Sequence, residues 1–64
     1  MFKEYLGEKT VADAAGRDHL LEVVFIAPPV SKYAVYADGE FFADAESWID
    51  IAEEFKAAVV CFSR

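Results

Sequence analysis

Cysteine is almost absent from the 64 residues: Cys61 stands alone, so no intramolecular disulfide can compensate for a small core, and a reducing, cytoplasmic setting is expected. One histidine and one cysteine cannot make a structural zinc site, and the acids after Asp38 lack the spacing of a calcium loop, so neither metal nor cofactor is expected. The three glycines form no phosphate-binding motif. His19 follows Asp18 with no nucleophile at an informative spacing, which leaves it a surface or capping role and predicts no catalytic residue. Long apolar runs are also missing. Stretches such as Val23 to Ala27 fall far short of the roughly 20 residues that span a bilayer, and Pro28 and Pro29 follow directly. At the amino end, Glu4 and Glu8 replace the basic and apolar regions of a signal peptide, as in an unprocessed chain.

Positive charge is scarce as well. Lys3, Lys9, Arg17, Lys32, Lys56 and Arg64 are dispersed along the chain, and its pI is near 4.5, so direct binding to nucleic acid or to an anionic membrane is not expected. What is present is negative charge, and it is concentrated. Asp38, Glu40, Asp44, Glu46, Asp50, Glu53 and Glu54 fall in one stretch without Lys or Arg, while the rest of the chain sums to +1 against a net charge of −6. Such a stretch builds a local field suited to a basic surface.

A single domain of this size holds only roughly 3 to 5 kcal/mol of stability, so its core must be dense; an apolar content of 56% and an aromatic content of 16% allow that. Phe2, Tyr5 and Leu6 have helical spacing, and Met1 to Leu6 reads as a helical turn, with a short edge strand as the alternative. Thr10 to Gly16 reads as a short helix capped by Thr10 and ended by Gly16. His19 to Ala27 suits a central strand stopped by the proline pair. Asp38-Gly39 predicts a type I′ hairpin that pairs Ala37 with Glu40, Tyr36 with Phe41, Val35 with Phe42 and Ala34 with Ala43. Asp44 is placed to cap a helix from Ala45 to Lys56 with Trp48, Ile49, Ala52 and Phe55 facing the core, and Ala58 to Phe62 reads as a last strand holding a buried Cys61. The expected class is α+β: a small antiparallel sheet of three to four strands, with an amphipathic helix in the C-terminal half and a short N-terminal helix packed chiefly on one face.

Two candidate surfaces follow. On the expected helix, Glu46, Asp50, Glu53 and Glu54 share a strip, and two like-charge i, i+4 pairs with anions in the last turn carry a cost of about 1 kcal/mol, the kind of local conflict that marks a functional face. Over about 12 Å of helix their spacing is close to the roughly 3.4 Å between phosphates of a DNA strand. With Asp38 and Glu40 at the hairpin tip they form the candidate acidic face. Tyr36 and Phe41 form the second surface, an aromatic centre inside a charged rim, provided that the N-terminal segment does not cover it.

In size, acidity and lack of catalytic groups, the chain resembles the small phage-encoded inhibitors that mimic nucleic acid, including anti-CRISPR proteins; antitoxins and nuclease-immunity proteins share the same charge logic. That resemblance is of class and rests on no motif. It implies an inhibitor or regulator that occupies a basic surface of a partner protein, such as the positively charged DNA channel of a host defence complex. The alternative is a homo-oligomeric accessory domain that buries a spare apolar sheet face against its copy, so both monomer and homodimer stay open. A minimal enzyme or ligand-binding domain is disfavoured because so small a core leaves little room for a pocket of a few hundred Å³.

Overall fold

Residues 2–64 are described by a computed structural model; Met1, the start of the expected N-terminal turn, lies outside them. Four strands, β1 (Lys3–Ala12), β2 (Asp18–Ile26), β3 (Lys32–Ala37) and β4 (Glu40–Ala45), pair antiparallel in the order β1-β2-β3-β4, and one helix, α1 (Trp48–Phe62), packs on one face. The class is therefore α+β. Short connections dictate this meander, since each strand follows its neighbour through a turn too short to cross over. The expected central strand does lie centrally, as β2, with His19 to Ile26 inside it and Ala27 just beyond its end.

Three expected elements are corrected. The N-terminal turn and the Thr10 to Gly16 helix are absent: β1 runs through Thr10, and Asp13 turns the chain by accepting the Ala15 and Arg17 amides, each at 2.9 Å, on one carboxylate oxygen. The last strand is also absent. Ala58 is fully buried and Val59 and Phe62 pack on the same core, so the apolar stripe of the helix continues to its end and α1 absorbs the segment. Cys61 is accordingly exposed, not buried. Finally, Ser47 rather than Asp44 caps the helix, its extended backbone and its Oγ accepting the Asp50 amide at 3.1 Å.

The Asp38-Gly39 turn has φ of 53° and 83°, the two positive values that a type I′ turn requires. Ala37 faces Glu40 and Tyr36 faces Phe41 as expected, but Val35 then faces Ala43 and Ala34 faces Asp44, because Phe42 is the extra residue of a β-bulge. Phe42 keeps the helix side that its expected pairing with Val35 implied and packs there against Leu21, Val23, Val35, Ile51 and Ala58 of the main core. A second bulge interrupts β1 between Tyr5 and Gly7. The face away from the helix holds a smaller cluster of Val24, Ile26 and Ala34 beneath Val30 and Tyr36. Helix α1 makes its most extensive contacts with β4 and β3 and its fewest with β1, so it lies off-centre on the sheet.

Candidate functional site

The off-centre helix divides the charged and apolar residues between its two flanks. Trp48, Ala52, Phe55 and Lys56 line the flank towards β1. At 3.6 residues per turn, Asp50 and Glu54 then fall one turn apart on the opposite flank, above β4. Glu40 at the start of β4 and Glu46 just beyond its end extend this flank along the sheet edge. None of Glu40, Glu46, Asp50 and Glu54 has a cation within ion-pairing distance among the described residues.

Other acids of the expected face have partners. Asp38 is held by His19 and Glu53 is 3.6 Å from Lys56 on the exposed top of the helix, and Asp44, outside that expected face, lies 2.7 Å from Lys32. Asp44 raises the Lys32 ammonium above its usual range, first by its hydrogen bond and then by its charge, with Glu46 adding to the effect. The energetic conflict expected on the helix is reduced to the one like-charge i, i+4 pair of Asp50 and Glu54. Glu46 precedes the helix, Asp50 sits in its first turn where the dipole favours an anion, and Glu53 and Glu54 lie near its middle. The ladder of phosphate-like spacing loses Glu46 with it, leaving Asp50, Glu53 and Glu54 over about 6 Å of rise.

Tyr36 and Phe41 meet edge to face with ring centroids 6.0 Å apart on the face away from the helix. The N-terminal segment does not fold over them; it joins the sheet plane as β1. Lys3 reaches across, with its ammonium 4.7 Å from the Tyr36 ring centroid and donating to the Tyr36 hydroxyl at 3.2 Å. Phe41 remains 58% exposed. The acidic helix flank and the aromatic pair therefore occupy opposite faces of the sheet and meet only at the β4 edge.

Sequence reasoning missed the part played by His19. From β2 it packs its ring 5.3 Å from that of Phe62 and donates Nδ1–H to Asp38 at 2.6 Å and Nε2–H to Asp13 at 2.8 Å. Asp38 also accepts the Leu20 amide at 2.9 Å. One side chain thus ties together the β1–β2 turn, the β3–β4 turn and the helix end. The hydrogen bonds that it donates to Asp38 and then to Asp13 raise the imidazole above its usual range, and His19 in return lowers both carboxylates. When protonated, the imidazole donates from both ring nitrogens at once and clamps the two turns together. Asp13 and His19 lie six residues apart, but Asp38 is distant in sequence, and no local spacing signals the triad.

On the β1 flank the sheet is left uncovered and forms an open apolar groove of about 550 Å³, lined by Leu6, Val23, Trp48, Ile51 and Phe55, with Lys9 and Lys56 at its rim. The expectation of little room for such a concavity is thereby corrected. The groove continues towards Glu4 beside a ladder in which Trp48 meets Tyr33 at 5.6 Å and Tyr33 meets Phe25 at 5.1 Å. No described helix is long and apolar enough to cross a membrane, and no group of metal-ligating side chains occurs among the described residues. Comparison with protein-family models, with curated proteins and with solved structures gave no match.

Proposed function

We propose that the chain is a protein-binding inhibitor or regulator, acting without catalysis, that lays the acidic β4 edge and adjoining helix flank on a basic surface of its partner. The supporting observation is that Glu40, Glu46, Asp50 and Glu54, along the β4 edge and the adjoining helix, have no cation within ion-pairing distance among the described residues, with Lys32 acting on Glu46 only from further off, so most of their field is directed outwards. Ile49, 74% exposed on the outer surface of the same helix, supplies an apolar contact. Complementary charge speeds encounter and orients the partners, and the desolvated apolar contact slows their separation. A surface that holds nucleic acid is the kind of basic surface this reading favours, in line with the class-level resemblance to nucleic-acid-mimicking inhibitors, although the helix alone presents no phosphate-like ladder.

The test is capture from a bacterial lysate with the wild-type chain and with Glu40→Gln/Glu46→Gln/Glu54→Gln as baits. These three positions avoid the Ser47 cap and the His19 clamp, so the fold is retained. A protein held by the wild type and lost from the triple variant is the expected outcome; equal recovery on both baits contradicts the reading.

A further inference from the structure

The sheet ends on two edges of different character. Edge β4 carries Glu40 and Asp44 and no cation, so two such edges brought together repel. Edge β1 is ten residues long, lacks a strand partner on its outer side, and carries both signs of charge as Lys3, Glu4, Glu8 and Lys9. Every residue from Lys3 to Thr10 is exposed, and Phe2, Tyr5 and Leu6 are among the few large apolar side chains left in solvent. A long edge with no strand over it is a template for pairing, and its charges and bulge restrict what it can pair with.

The bulge in β1 decides which pairing fits. Lys3 and Tyr5 stand opposite Ile26 and Val24 and so belong to the face away from the helix, where Glu8 and Thr10 also point. Glu4 stands opposite Phe25, and Gly7 and Lys9 stand opposite Val23 and Leu21, which places all three on the helix face. In a two-fold antiparallel contact, residues directly opposite must share a face. A shift of one residue breaks that condition along the strand. The two bulges coincide, and every pair matches, when Leu6 stands opposite Gly7 of the second copy. In that register Glu4 meets Lys9 of the second copy and Lys3 lies diagonal to its Glu8, and the symmetry repeats both contacts.

We propose that β1 is a self-association edge, pairing with β1 of a second copy in this register to form a continuous eight-stranded sheet. Charge complementarity selects the second copy as occupant. The proposal is independent of the acidic-flank reading, because the dimer leaves both β4 edges at its outer ends and both apolar grooves on one side, facing each other across the seam.

Sedimentation equilibrium of the full chain across concentration tests it, with far-UV circular dichroism to show that each variant is folded. The wild type should move from the 7.1 kDa monomer towards twice that mass. Glu4→Lys and Lys9→Glu each replace two opposite-charge pairs with like-charge pairs and should weaken the dimer about tenfold or more. The double variant restores both pairs with the charges exchanged, and should recover most of the affinity. A wild type that stays monomeric into the millimolar range, a dimer insensitive to the single variants, or a folded double variant that remains dissociated would each overturn the proposal.

Discussion

Ile49 and Ile51 are the same residue two positions apart, and the fold assigns them opposite energetic weights. Ile51 is 1% exposed and, with Ala58, is one of two buried residues by which the helix is anchored to the sheet, whereas Ile49 is 74% exposed. Truncating a buried isoleucine to alanine costs about 2 to 5 kcal/mol in lost transfer free energy and cavity formation. Removing about 3 from a domain that holds roughly 4 leaves about 1 kcal/mol, so about one Ile51→Ala molecule in six is unfolded at 25 °C. Ile49→Ala should stay within about 0.5 kcal/mol of the wild type. Urea unfolding followed by helix ellipticity, at one fixed protein concentration, reads both. The Ile51 variant should show no flat native baseline; equal midpoints for the two variants would show that the helix is packed in another rotation or is not anchored by this stripe.

Two further outcomes follow from the turns. The His19 clamp makes stability depend on pH with a defined sign: the raised imidazole contributes fully below about pH 6.5 and loses its contribution as pH rises through its higher folded value. The lowered carboxylates of Asp13 and Asp38 contribute fully above about pH 3.8 and lose theirs as pH falls through their lower folded values. The stability difference between wild type and His19→Gln should thus be largest between about pH 4 and pH 6.5 and shrink towards pH 9; a difference independent of pH would rule out the charged clamp. Gly39 has φ of 83° and open space where a Cβ would stand, so Gly39→Val should destabilise through the backbone alone, by about 1 to 2 kcal/mol, while Gly39→Asn is largely tolerated. Indistinguishable melting temperatures for the two variants would contradict the type I′ assignment.

The parts legible in the sequence were those with a strong local cause. Asp38-Gly39 dictates its turn whatever surrounds it, and the proline pair stops β2 because proline donates no ladder hydrogen bond. Elsewhere, local signals competed. Thr10, Asp13 and Gly16 have the chemistry of helix caps and of turns alike, and strand pairing across β2 chose the turn. Edge strand β1 shows no clean alternation because its bulge shifts the phase at Leu6 and little covers either face. Val59 and Val60 favour strands weakly, yet Ala58 and Phe62 continue the spacing begun by Ile51 and Phe55, and packing overrode propensity. β4 runs on to Ala45 opposite Tyr33, which keeps Asp44 in the strand, gives the cap to Ser47 and leaves Glu46 before the helix. Of the candidate site, the concentration of acids was visible, but its division into a paired set and an outward flank depends on Lys32 and His19, far away in sequence.

The central claim is that the outward acids bind a basic partner, and the affinity of the captured protein measured across a salt series tests it most directly. Exposed charges are screened over about 8 Å at 0.15 M salt and over less at higher ionic strength. Wild-type affinity should fall steeply as salt rises. Glu40→Gln/Glu46→Gln/Glu54→Gln should bind more weakly at low salt and respond less to added salt, with its unfolding midpoint unchanged. A triple variant with wild-type affinity and wild-type salt dependence would contradict the claim and leave those carboxylates a solvated surface.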